Sequence, residues 1–183
     1  MARISLAPKP TLGYRLVRFV LRRRYGVMLD PIAATAHQPR VMRTLSLLEA
    51  GAAKWRVLDR DLKALAILAT SARTGCAWCM DFGYWESHHA GVEPAKLRAV
   101  THWRDSDLYT ALERRVMAYA EAMTATPPEV TDEMVAELRA DLSEAELVEL
   151  TATVALENLR NRSNAALGLT GQGFKDRCEV PAA

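Results

Sequence analysis

Apolar residues recur at helical spacing along most of this chain. Leu58, Leu62, Leu65, Ala69 and Ala72 fall on one helix face, and Thr74-Gly75 then breaks the pattern. A second helical stretch follows and reaches about Ala90, with Gly91 as its stop. Glu93-Pro94 starts a short helix running to about Trp103, because proline is tolerated in a first helical turn. Asp105-Ser106-Asp107 offers caps for the next helix, predicted to bury Leu108, Leu112, Val116, Ala120 and Met123 before Pro127-Pro128 ends it. Thr131 caps a helix carrying Met134, Val135 and Leu138. Ser143 and Glu146 form a capping box for a long helix to about Gly168. Upstream, Pro8, Pro10, Pro31 and Pro39 divide a short helix, a connector and a helix from about Val41 to Ala53. Several β-branched runs separated by turn signals would indicate a sheet, and none occurs. The predicted class is all-α. Leu62-Lys63-Ala64-Leu65 and Leu147-Val148-Glu149-Leu150 each open a long helix, a weak hint of an internal helical duplication.

Charge changes this picture at the N-terminus. The net charge of +2 hides twelve Lys/Arg against three Asp/Glu in residues 1–60 and the reverse imbalance, twelve against nineteen, beyond them. Leu12, Leu16, Phe19 and Val20 lie near one face of a basic amphipathic helix, while Arg15, Arg18 and Arg22 lie elsewhere on it. Glu121 to Glu149 holds nine acids against Arg139 alone, so the arm is expected to dock on its own or a neighbouring subunit rather than on nucleic acid or a membrane. With 183 residues, half of them apolar, the chain is read as a basic arm and connector (1–40), a helical domain (41–170) and a tail (171–183). The three cysteines suit a reducing cytoplasm better than a secreted disulfide scaffold, and neither a membrane span nor a signal peptide is evident.

Two of those cysteines carry the chemistry. Cys76 and Cys79, in Thr74-Gly75-Cys76-Ala77-Trp78-Cys79-Met80-Asp81, stand three residues apart where one helix ends and the next begins. Helical i and i+3 residues lie about 5–6 Å apart, within the span of a disulfide. A helix start adds unpaired N–H groups and a positive dipole end, which favour thiolate over thiol. A redox dithiol follows as the first hypothesis, with a pair of buried small hydrophobes as the alternative. Without strands, the thioredoxin setting for a CxxC pair is excluded.

Leu62 to Gly91, with Leu65-Ala66-Ile67-Leu68-Ala69 and then Gly75-Cys76-Ala77-Trp78-Cys79-Met80-Asp81, resembles the core of the carboxymuconolactone decarboxylase and alkyl hydroperoxidase D-like (AhpD-like) superfamily; a looser likeness extends from about residue 40 to 170. The resemblance implies an all-helical fold, homo-oligomers of three or six subunits, and cofactor-free peroxide reduction or disulfide exchange. It makes Cys79 the peroxide-attacking thiolate and Cys76 the resolving thiol. The substrate would be a peroxide or a disulfide, with an unidentified dithiol as reductant. The family's peroxidase pattern also places a glutamate twelve residues before the first cysteine, and histidines between the cysteines and four residues after the second. Here those positions hold Ala64, Trp78 and Gly83, none of which can relay a proton.

Other ionisable groups on the same helix are auxiliary candidates. Glu86 returns to nearly the face of Cys79, but about 10 Å along the axis. Asp81 points away from Cys79 and complements the helix dipole. His88 and His89 fall at the helix end as C-terminal cap partners. Trp78 and Trp85 read as core or interface, and Asn158 and Asn161 as buried, hydrogen-bonded polar residues. Cys178 follows Gly171-Gln172-Gly173 and is expected to be exposed and outside the dithiol, with a link between subunits as the alternative. A zinc site from Cys76, Cys79 and the histidines lacks the usual second close pair, so no metal is expected. Two other classes remain beside the oxidoreductase: a lyase acting on a small lactone acid, and a non-catalytic helical oligomer or redox sensor.

Overall fold

A computed structural model describes residues 2–179, and among them every regular element is helical. The elements are α1 (Leu12–Tyr25), α2 (Asp30–Thr35), α3 (Pro39–Ala52), α4 (Arg60–Thr74), α5 (Ala77–His89), α6 (Pro94–Ala99), a 3-10 turn (Val100–Asp105), α7 (Ala111–Thr124), α8 (Asp132–Arg139), α9 (Glu144–Ala166) and α10 (Asp176–Glu179). The described residues form two compact units: 2–54 with 164–169, and 55–163 with 170–179. No described helix is long and apolar enough to cross a membrane.

In the first unit, Thr11 caps α1, its side chain accepting the Tyr14 N–H at 3.2 Å, and Gly26 ends the helix at φ +76°. Tyr14, Ala36 and Met42 form a small core there, joined by Met28 and Ile32. The connector expected before Pro39 contains α2, with Pro31 early in it, where a missing N–H costs no helix bond. The apolar face of α1 stands in the open: Leu12 is 84% exposed and Phe19 65%.

The second unit holds the larger core. Leu65, Ala66, Leu68 and Ala69 of α4 are fully buried, packed with Val116, Met117 and Ala120 of α7 and with Leu150 and Val154 of α9. Each buried leucine contributes roughly 1.5–3 kcal/mol, so α4 is the helix around which the unit condenses. Asp59 caps it, accepting from Asp61 and Leu62 at 2.9 and 3.1 Å. Lys63 pairs with Glu149 on α9. Burial alone would raise the Glu149 carboxyl, but Lys63 and the N–H groups of Val57 and Leu58 outweigh it and hold it below the usual glutamate range.

One expected boundary moves. Helix α7 begins at Ala111, not after Asp107, and Leu108 is 43% exposed instead of buried. The cause is a stronger cap. Thr110 accepts the Glu113 N–H at 3.2 Å while Glu113 accepts the Thr110 N–H at 2.8 Å, a reciprocal box that the acidic triplet cannot match. The box expected at Ser143 and Glu146 forms as read, with bonds of 2.8 and 3.3 Å.

Candidate functional site

The dithiol sits at a shared helix boundary. Gly75 takes φ +69°, a left-handed conformation that suits a residue without Cβ. Its N–H reaches Ala72 O and the Cys76 N–H reaches Ser71 O, both at 3.1 Å, which closes α4 in a Schellman motif. Cys76 therefore ends α4, and it also caps α5: its Sγ accepts the Cys79 N–H at 3.3 Å. A sulfur stands where Ser, Thr or Asp usually stands. Cys79 occupies the first turn of α5, its Cα 5.3 Å from that of Cys76, and the two sulfurs are joined as a disulfide. Cys76 lies just outside the helix, so the closing geometry comes from the cap as well as from helical spacing. Both residues are buried.

Beneath this boundary lies a polar cluster. Ser71 Oγ donates to Glu157 Oε1 at 2.9 Å and lies 3.4 Å from Asn161 Oδ1, while Arg160 donates to Glu157 at 2.9 Å. Glu157 is 2% exposed and Asn161 fully buried. Sequence reading placed Asn161 in the core but missed Glu157, which precedes it by one helical turn on the same face of α9. The cluster holds the side chain of Ser71, the residue whose carbonyl receives the Cys76 N–H. Asn158 instead donates to Thr124 and to Val154 O, at 2.9 and 3.1 Å.

The family's proton-relay positions are filled by packing. Ala64 lies in the core. A Cβ on Gly83 would come within 3.2 Å of Leu68 Cδ2, so the glycine lets α5 approach α4. Trp78 donates through Nε1 to Gln172 Oε1 at 2.9 Å and stacks on Phe82, centroids 4.9 Å apart.

Asp81, read as a first-turn acid that complements the dipole, is a clamp. Its two carboxylate oxygens accept the backbone N–H groups of Gln172 and Lys175 at 2.6 and 2.7 Å. Gly171 runs so close that an added Cβ would meet Asp81 Oδ2 at 3.1 Å. Phe174, fully buried, sits edge-on to Phe82 and Trp85, 5.1 and 5.6 Å between centroids. The described part of the segment expected as a tail, residues 171–179, thus lies along α5, and an open cleft of about 510 Å³ forms between them, lined by Ala77, Met80, Asp81, Gly171, Gly173, Lys175 and Asp176; residues 180–183 lie outside the described residues. An aromatic in an otherwise polar, glycine-flanked stretch was the available signal for this docking.

The remaining candidates are elsewhere. Glu86 is exposed, although it shares a helical face with buried Cys79. His89 Nδ1 lies 2.8 Å from Trp85 O, its ring 4.2 Å from the Trp85 ring, and His88 stacks on Tyr84 at 6.3 Å. Cys178 is half-buried rather than exposed, and the structure brings it together with both histidines.

An all-helical unit that sets a CxxC dithiol across the junction of two packed helices has the architecture of the AhpD-like proteins. This chain belongs to the carboxymuconolactone decarboxylase family, which residues 39–122 match. The uncharacterized protein YnjA of Escherichia coli (strain K12) is 32% identical over 161 residues, 87% of each chain. An uncharacterized peroxidase-related protein from Ralstonia eutropha JMP134, described as an alkylhydroperoxidase AhpD core, shares the fold with TM-score 0.84 at 18% identity, over 99% of this chain and 98% of its own. A variant of the debrominase Bmp8, in complex with 2,3,4-tribromopyrrole, shares it with TM-score 0.82 at 20% identity over 97% of both chains.

Proposed function

We propose that this protein is a thiol-dependent oxidoreductase that cycles Cys76 and Cys79 between dithiol and disulfide while reducing a peroxide or a disulfide. The observation that carries the reading is the sulfur-capped boundary, which holds both sulfurs at bonding distance in the folded chain. In the peroxide reaction the Cys79 thiolate attacks the distal oxygen, the O–O bond breaks, and the leaving alkoxide takes a proton to become the alcohol. Cys76 then attacks the Cys79 sulfenic acid, forming the S–S bond and releasing water. A small external dithiol restores both thiols by exchange and leaves as its own disulfide.

The N-terminal end of α5 favours thiolate on Cys79. Glu157 is a positioning residue, acting through Ser71 on the turn that bears Cys76. No side chain at the relay positions delivers the proton, so water does, and turnover is slow by the roughly 10²- to 10⁴-fold that a positioned acid–base group contributes. Burial of both cysteines selects small substrates, approaching from the cleft beside Ala77 and Met80. The lyase alternative has no use for the pair. The likeness to Bmp8 makes a bromopyrrole a third substrate class to assay. The exposed apolar face of α1 supports assembly into a homo-oligomer through that helix.

The test is consumption of hydrogen peroxide, an alkyl hydroperoxide and a small disulfide with a dithiol reductant, in wild type, Cys79→Ser and Cys76→Ser at matched folding and oligomeric state. The reading predicts turnover lost in Cys79→Ser with at least one substrate. Turnover of all active substrates unchanged in both variants contradicts it, and dithiol oxidation without turnover points to a redox sensor.

A further inference from the structure

The opposite end of α5 carries a second cluster that the dithiol chemistry does not use. One donor atom each from His88, His89 and Cys178 lies within 4.8 Å of the others. We propose that these three residues form a binding site for a borderline-soft transition-metal ion such as Zn²⁺, with the fourth coordination position open.

The donor set selects the ion. Two imidazoles and a thiolate suit zinc-like metals, whereas Ca²⁺ and Mg²⁺ require oxygen ligands that this cluster does not offer. Zinc bonds of about 2.0–2.3 Å place tetrahedral donors roughly 3.3–3.8 Å apart, so the cluster closes by about 1 Å on loading. His89 is exposed and can make that adjustment by rotation. Its Nδ1 faces Trp85 O at 2.8 Å; with the proton on Nδ1 donated to that carbonyl, Nε2 keeps the lone pair a metal needs. A metal-binding histidine is commonly oriented by such a bond.

The helix end favours a bound cation. His88 and His89 occupy the last turn of the thirteen-residue helix α5, whose negative dipole end attracts a cation. Lys175, with its ammonium 5.0 Å over the Tyr84 ring, and Arg177, over Phe174 at 4.4 Å, belong to the same segment as Cys178. They oppose a cation, and a coordinated thiolate offsets part of that repulsion. The site bridges α5 and the C-terminal segment that Asp81 clamps at the other end. Metal binding would therefore fasten that segment at a second point.

The experiment uses untagged full-length protein in a Cys76→Ser/Cys79→Ser background, which removes the other thiols. Zn²⁺ is titrated calorimetrically and Co²⁺ spectroscopically. The proposal predicts one equivalent bound, a thiolate-to-cobalt charge-transfer band, and protection of Cys178 from alkylation by Zn²⁺. Cys178→Ser should abolish the band, and His88→Gln or His89→Gln should each weaken Zn²⁺ binding about tenfold or more, the scale on which even supporting groups matter. Circular dichroism shows that each variant is folded. A band that survives Cys178→Ser, unchanged affinity in both histidine variants, or no binding below millimolar zinc overturns the proposal.

Discussion

The two ends of helix α5 divide its chemistry. The N-terminal end holds two buried sulfurs against α4, with the positive dipole end and no proton-transfer side chain at the family's relay positions. The C-terminal end, about 14 Å away along the helix from Cys79 to His88, gathers two imidazoles and a third sulfur near solvent. Ionisable groups on one helix are therefore no guide to which of them act together. On the readings proposed above, the packed end serves a bond that opens and closes in place, and the open end serves coordination.

The largest expected effect separates the two ends outright. Cys79→Ser should reduce dithiol-driven turnover to the rate of the reductant alone while leaving zinc binding intact; His88→Gln with His89→Gln should do the reverse. Parallel turnover and calorimetry check both halves, and a histidine pair that also abolishes turnover would break the division.

Next comes transplanting the relay. Ala64→Glu with Gly83→His restores the family's residue types at two of the three positions, yet the histidine meets Leu68 at the Cβ and the glutamate enters the core. Overpacking costs typically 1–3 kcal/mol, and a buried unpaired carboxyl adds to it. The double variant should unfold at clearly lower denaturant, read by urea titration, and gain no rate. A stable, faster enzyme would show that α4 and α5 have room for the relay.

Asp81→Ala is a smaller lesion. It leaves the Gln172 and Lys175 N–H groups without their carboxylate, at about 1–3 kcal/mol for groups deprived of a charged partner. Limited proteolysis should then cut between residues 170 and 179 sooner than in wild type, and Gly171→Ala should act in the same direction by pushing Asp81 aside. Cleavage unchanged in both would mean that the segment is held without the Asp81 clamp. Glu86→Gln should be smallest of all, leaving turnover and stability within error, because the side chain is exposed.

Local rules made most of this legible. Gly75, Gly91, Thr131 and the Ser143–Glu146 box mark helix ends because caps act over three or four residues, and the CxxC spacing sets the disulfide by the same short-range geometry. What the sequence did not reveal is long-range. Asp81 finds its partners ninety and more residues away, Phe174 returns to cover Phe82 and Trp85, and Glu157, a charged residue on the core face of α9, is buried against Ser71 of α4. Cys178 is half-buried for the same reason. Its surroundings exist only once the C-terminal segment has docked. The late start of α7 is a competition between two plausible caps, decided by which one closes reciprocally.

The proposed function requires Cys76 and Cys79 to be the working redox pair. It is tested most directly by giving the fully reduced protein one equivalent of hydrogen peroxide, and in parallel one equivalent of a small disulfide, then quenching with an alkylating agent and mapping all three cysteines by mass. At least one oxidant should be consumed with loss of the Cys76 and Cys79 thiols together, as a single Cys76–Cys79 disulfide, while Cys178 remains alkylatable. Oxidant consumed at the same rate by the Cys76→Ser/Cys79→Ser protein, or a dominant disulfide through Cys178, would contradict it.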